Sequence, residues 1–493
     1  MKISSILKNS LKYTGVSFFS TFLSVPKNIV LAAVLTPSDF GIYAFIWLFV
    51  EYSYHLSPGI INASTREMTA FIGNGEPDKA LEIERYGNGA DLIYTVLLSL
   101  AIALGGIFFH ASPFLIYGFV FSGINFFINK VLIYYFNANY YRDEYNVTVA
   151  ARAIQNGGAS VICIVLVFFI KEWSLFVAPL VAALFAFLYY FYKSKNRIEF
   201  RFNRKMAWKL LRTGILLSFA WLLWRSFRIA DKTVISVLLP RHELGLFAFA
   251  SIFILFPHNA MLDFGNVLMP LLWRFWGKKN PQEFMETSRK YVYFLALVSG
   301  LIITTLQFLF YFMSVYITVK FAPALEFFNI LCLSVFFMSI VIIPNIMLAS
   351  KNINRQNISV ITHFIGLAIN VMGDIYVIRL GYGLYGVAFV TLFTQILVTG
   401  AQFFFSIKYF AIGMKEKCFF LLKVHIPVFI AALLIVIQPM IQMKIKNPLL
   451  FLLFGVIAAG LWFAVIRIFY KEFFNIKWLK TMLSRKVSPE THE

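Results

Sequence analysis

The chain alternates fourteen apolar stretches with short charged segments, and this alternation limits what it can fold into. The stretches lie near residues 14–36, 40–62, 91–109, 112–136, 150–170, 174–192, 213–239, 244–272, 291–315, 324–349, 358–378, 382–407, 424–441 and 447–470. Each is long enough, at ~1.5 Å per residue, to cross most or all of a hydrocarbon layer of ~30 Å. A water-soluble core could not absorb fourteen such runs in 493 residues, 60% of them hydrophobic. In lipid every backbone polar group must be satisfied within its own segment, so the spans are expected to be helices. The expected fold class is all-α: a polytopic membrane protein of about fourteen transmembrane helices.

The net charge of +21 would suit a nucleic-acid partner if it formed one surface. It does not. Alternate loops, with the two termini and the adjacent Arg152 and Arg467, hold about 33 of the 44 lysines and arginines, whereas the opposite set holds six. Such asymmetry is the topology signal of a membrane protein, with the basic side cytoplasmic. Both termini are therefore expected inside, and no nucleic acid is expected as a partner. The loop 193–212 carries eight cations and is expected to meet anionic membrane lipids. The three cysteines are scattered, without disulfide or metal spacing.

Five cations remain inside spans: Lys27, Lys130, Arg225, Arg228 and Lys232. Lys130 lies near the cytoplasmic end of its span and is expected to snorkel. Three of the others fall in one stretch, WRSFRIADK at 224–232, in the middle of the seventh span. Arg225, Arg228 and Lys232 are spaced i, i+3, i+7, on one helix face, and Trp221 extends the stripe. A charge at mid-bilayer costs about 2.5–3.5 kcal/mol on insertion scales, so this face should meet protein or water. Guanidinium presents a rigid fork of donors suited to phosphate oxygens.

An internal repeat sharpens the layout. LTPSDFGIYAF at 35–45 aligns without gaps with LPRHELGLFAF at 239–249, at an offset of 204. Leu, Gly, Ala and Phe are identical in the two copies. Six spans separate them, so the two halves should enter the membrane with the same orientation, as in carriers built from two bundles. At this offset Lys27 aligns with Asp231. The expected domains are an N-terminal lobe at 1–192 and a basic linker at 193–212. A C-terminal lobe at 213–410, an extra helix pair at 411–470 and a cytoplasmic tail at 471–493 complete the division.

These residues carry a family resemblance. The Leu-x-Pro-x-Asp-Phe-Gly-x-Tyr pattern at 35–43 resembles that of the polysaccharide-biosynthesis, O-antigen type flippases. So do Ala-Asp-Lys-x-x-Ile at 230–235 and Glu-Leu-Gly-Leu-Phe-Ala-x-Ala at 243–250. GYGLYGVAFVT at 381–391 is similar to the small-residue turn before the twelfth helix of those proteins. They form part of the multidrug/oligosaccharidyl-lipid/polysaccharide exporter superfamily. The resemblance implies a two-lobe, alternating-access transporter with a cationic cavity, in a bacterial inner membrane. It implies an undecaprenyl-pyrophosphate-linked oligosaccharide as cargo, moved outward for surface polysaccharide such as O-antigen, capsule or exopolysaccharide. Other polysaccharide-assembly membrane proteins are further expected partners.

The site expectations follow. Arg225, Arg228, Lys27 and Trp221 are candidates for cargo contact. Asp231, Lys232, Glu51 and Asp374 are candidates for gating or ion coupling, with helix packing as the plainer role of Asp231 and Lys232. Lys27 and Glu51 lie at similar depth and could pair across the first two spans. Asp374, in the eleventh span, could bind a coupling cation or meet a seventh-span arginine. No cofactor is expected beyond coupling to a proton or sodium gradient. No segment offers the paired carboxylates, metal cluster or phosphate loop of an enzyme, and no outer loop is long enough for a glycan polymerase or ligase. A cation- or proton-coupled drug exporter is the alternative, but its cargo would favour a carboxylate-dominated cavity.

Overall fold

The computed structural model describes residues 15, 22–56, 59–108, 112–140, 142, 144–277, 281–350, 353–411, 413–442 and, in pieces, 455–464. Within helices, the side chains of 216–225 and 228 are among those outside the described set. Among the described residues every regular element is helical. Among the described residues nine stretches are long and apolar enough to cross a membrane, and Phe22–Val34 is a shorter apolar helix. The chain is a polytopic, all-α membrane protein.

In chain order the helices are α1 (Phe22–Val34), α2 (Pro37–Leu56), α3 (Ile60–Gly73), α4 (Pro77–Phe108), α5 (Pro113–Tyr140), α6 (Tyr145–Arg152), α7 (Ala159–Ile170) and α8 (Ser174–Lys193). They continue as α9 (Arg204–Leu238), α10 (Arg241–Gly277), α11 (Pro281–Tyr316), α12 (Leu325–Ile340), α13 (Ile342–Leu348), α14 (Gln356–Arg379), α15 (Gly383–Ser406) and α16 (Met414–Gln442). Proline opens α2, α4, α5 and α11, where its missing N–H costs nothing and its fixed φ fits the first turn. A π-helical segment, Ala153–Gly158, joins α6 to α7 inside the fifth span.

Several helices outrun their apolar cores. Residues 63–90, expected as a loop, are mostly α3 and the first half of α4, with a turn at Gly75, φ 78°. Likewise α9 begins at Arg204 and not near 213, and α11 at Pro281 and not near 291. Hydropathy marks only the lipid-facing length of a helix; its polar continuation into water leaves no apolar signal.

The chain forms two compact units. Among the described residues one comprises Asn9–Phe249 with Asn370–Arg379, and the other Ala250–Ile369 and Leu380–Glu493. In the first unit, α4 packs along α5, and Ser99 Oγ donates to the Gly123 carbonyl at 2.7 Å. The seventh span, α9, packs on α2, α3 and α4 within this unit. Lys130 is not at the surface. Its ammonium lies 2.9 Å from the carboxylate of Asp91, which is fully buried and also accepts from Tyr134 Oη at 2.8 Å. The snorkelling expectation fails because an acid on the neighbouring helix α4 supplies a partner.

In the second unit, α11 packs on α12 and α16, and α12 on α15. Phe310 stacks on Phe328 at 3.6 Å between centroids. Trp462, from the last expected span, is buried and donates to Thr304 Oγ1 at 2.9 Å. The turn before α15 needs left-handed backbone at Gly381, φ 88°, and Gly383, φ 51°, which glycine alone adopts cheaply.

Candidate functional site

The two copies of the repeat meet in the first unit. A Cβ built on Gly41 would overlap the carbonyl oxygen of Arg241, and one on Gly245 would overlap that of Pro37. The contact is reciprocal, because position 37 aligns with 241 and 41 with 245 at the offset of 204. Two small residues let the starts of α2 and α10 cross backbone to backbone. Aromatic contacts flank the crossing. Phe40 meets Phe249 edge-on at 6.0 Å, and the Arg241 guanidinium lies 3.5 Å from the ring centroid of Phe45.

The Thr-Pro-Ser-Asp of the first copy, at 36–39, has a local task. Asp39 Oδ2 accepts from the Thr36 amide at 2.9 Å and its hydroxyl at 2.7 Å, while Thr36 Oγ1 accepts from the Asp39 amide at 3.3 Å. That reciprocal arrangement is a capping box, and it fixes the start of α2 beside the crossing.

The seventh helix runs on from the second copy's side of this crossing. Between 226 and 236 no described side chain of α9 is exposed; Phe227, Ile229, Ala230, Val234 and Ile235 are buried. Protein therefore surrounds this stretch on the described faces. Thr233 Oγ1 hydrogen-bonds Tyr52 Oη at 2.8 Å, tying α9 to α2. Asp231 is buried and Lys232 half-buried. Trp221, Arg225 and Arg228 lie on the helix backbone, and their side chains are outside the described residues.

Asp374 comes to the same helix, but its neighbour there is an acid. It is fully buried on α14, and its carboxyl lies within hydrogen-bonding reach of the Asp231 carboxyl. No N–H or O–H donor among the described residues reaches either Asp374 oxygen. Asn370, one turn earlier on the same face of α14, is equally buried, and its amide nitrogen and oxygen likewise have no partner among the described residues. Two acids thus meet in one buried spot of the first unit, with a buried amide one helical turn from Asp374. The sequence offered a signal for this in the i, i+4 spacing of Asn370 and Asp374, which the reading of single charges passed over.

Lys27 and Glu51 are not brought into an ion pair. Lys27, on α1, is half-buried with the Cys163 thiol of α7 in electrostatic range. Glu51 keeps a buried carboxylate oxygen with no hydrogen bond among the described residues. Equal depth on adjacent helices did not decide which way either side chain turns.

Comparison with known proteins agrees with this architecture. A lipid II flippase, MurJ, in an inward closed conformation, matches with a TM-score of 0.70 at 14% identity, over 94% of this chain and 99% of that one. An inward-facing multidrug resistance MATE family transporter of the MOP superfamily matches with a TM-score of 0.63 at 14% identity, over 83% and 98%. A MOP superfamily transporter from Pyrococcus furiosus, distinguished by the reverse polarity of its binding pocket, matches with a TM-score of 0.53 at 14% identity, over 81% and 94%. No curated protein sequence matches the chain. Residues 88–275 match the family model described as polysaccharide biosynthesis protein, and the chain has the fold shared by MurJ and the MATE transporters.

Proposed function

We propose that this protein is a flippase that carries an undecaprenyl-pyrophosphate-linked oligosaccharide from the cytoplasmic to the outer leaflet of a bacterial plasma membrane, for surface polysaccharide synthesis. The observation that carries the reading is the enclosure of α9. A helix whose sequence places Arg225, Arg228 and Lys232 on one face is surrounded by protein on its described faces around 226–236. Cations that the sequence places within a membrane span are costly without a counter-charge. A pyrophosphate headgroup supplies one, and guanidinium matches its oxygens in geometry. An organic-cation exporter would have no use for this excess of positive charge. MurJ, a lipid II flippase with the same fold, supports a lipid-linked glycan as cargo.

Alternating access needs a contact that forms and breaks. The Gly41–Gly245 crossing is our candidate for the outer seal, with rocking of the two repeat halves as the motion. Six-plus-six lobes with an added helix pair remain our reading of the repeat. The coupling element is the Asp231–Asp374 pair. Two carboxylates in contact repel, and a proton or a metal cation between them relieves the repulsion. Asp231, Asp374 and the Asn370 side chain are oxygen donors of the kind that hold hard cations.

The test is a deletion strain complemented with the wild-type gene. Loss of surface glycan together with accumulation of its lipid-linked precursor is expected. Normal surface glycan, with no second flippase in the strain, would overturn the reading.

A further inference from the structure

The polybasic linker contains more than a topology signal. Its segment before α9 is docked on α4. The Arg201 amide donates to the Arg85 carbonyl at 3.1 Å, and Arg85 pairs with Glu199 at 2.6 Å. Gly89 leaves the room for this, since a Cβ there would overlap the Arg201 carbonyl. Docking fixes the position of the first turns of α9, which Asn203 caps by accepting from the Lys205 and Met206 amides at 2.9 and 3.2 Å.

Between these first turns and α4 runs a groove of about 670 Å³. Tyr94 and Leu97 form one wall, Trp208 and Leu211 the other, and Phe202 lies across the end. Arg204 and Lys205 stand on the rim. Both are exposed, and neither forms an ion pair among the described residues, whereas nearby Lys209 is engaged with Glu67 at 3.0 Å. Trp208 is 67% exposed and Phe202 60%, a display of large aromatics expected where headgroups meet acyl chains. Beyond the groove, the exposed stripe continues along α4 as Leu97, Leu100 and Leu104, at i, i+3, i+7.

We propose that this groove is a binding site for one anionic phospholipid of the cytoplasmic leaflet, distinct from the transport pathway. The phosphate rests on Arg204 and Lys205, where the capped N-terminus of α9 adds a favourable dipole. One acyl chain lies between Trp208 and Leu97 and follows the leucine stripe into the bilayer. The apolar walls, the exposed rim cations and the continuation into lipid favour a phospholipid over a protein segment. The site would secure the helix that bears Arg225 and Arg228 at its cytoplasmic end, whatever cargo the protein carries.

The full chain is reconstituted in phosphatidylcholine nanodiscs with brominated phosphatidylglycerol or brominated phosphatidylcholine as quencher. The signal of Trp208 is the difference between wild type and Trp208→Phe. Brominated phosphatidylglycerol should quench it at a mole fraction about 30-fold lower than brominated phosphatidylcholine, the scale set by two surface cations. Arg204→Gln with Lys205→Gln should abolish that preference, and the charge-preserving exchange Arg204→Lys with Lys205→Arg should keep it. Equal quenching by both lipids in wild type, or a preference that survives the double Gln change, overturns the proposal. Displacement of the bromolipid by a polyprenyl pyrophosphate, but not by phosphatidylglycerol, would assign the groove to the cargo lipid and overturn it too.

Discussion

Gly41 and Gly245 stand 204 residues apart and press on each other's helix in the same way, each against a carbonyl at the equivalent position of the other copy. A short repeat in sequence is thus a two-fold contact in space. Either glycine enlarged to alanine must push the crossing apart. Overpacking of this kind costs about 1–3 kcal/mol. Read as a shift between closed and open states of the outer seal, that is roughly a 5- to 150-fold change in their ratio. Gly41→Ala and Gly245→Ala should each lower cross-linking between cysteines placed at 37 and 241, and reduce glycan export, at unchanged protein level. Undiminished cross-linking in both variants would remove the seal from the account.

The Lys130–Asp91 pair is expected to hold α4 and α5 in register. Lys130→Met leaves the fully buried Asp91 without its counter-charge, which costs about 3–5 kcal/mol. Adding Asp91→Asn should recover much of that loss, because the orphaned charge disappears. Thermal unfolding of the purified protein in detergent, for the two single variants and the double, measures it. A Lys130→Met protein as stable as wild type would mean the pair is open to water.

Asp231 and Asp374 should matter together. Each single change to Asn removes one of the two acids that would share a proton or cation and leaves a neutral amide in the same space. Export should then lose its dependence on the proton or sodium gradient, while the protein stays folded and membrane-inserted. Glycan export measured in cells treated with an ionophore for each gradient separates the variants from wild type. An Asp374→Asn protein as ionophore-sensitive as wild type would exclude the pair from coupling.

How much of this was legible in the sequence depends on which interaction decides it. The all-helical membrane class and the repeat follow from hydropathy and spacing, which a sequence carries directly. The choice between Asp231 and an arginine as the partner of Asp374 depends on helix rotation, which periodicity leaves open by a turn. Lys130 was misjudged because depth alone favours snorkelling; Asp91 lies 39 residues earlier and nothing local links the two. The helical extension over 77–90 did have a local signal. Pro77 at the first helical position and Asp78 in the first turn mark a helix start that an apolar-run criterion cannot see.

Receipt of the headgroup by the cations of α9 is the step on which the proposed function turns. It is tested most directly in liposomes carrying a lipid-linked oligosaccharide in both leaflets, with an impermeant glycosidase added outside. Wild-type protein should make the inner-leaflet glycan accessible, so that digestion passes the outer-leaflet share and approaches completion. Arg225→Ala with Arg228→Ala should stop at the outer-leaflet share, as protein-free liposomes do, while Arg225→Lys with Arg228→Lys should retain part of the activity. Complete digestion with the double alanine protein, at the wild-type rate, would contradict the account.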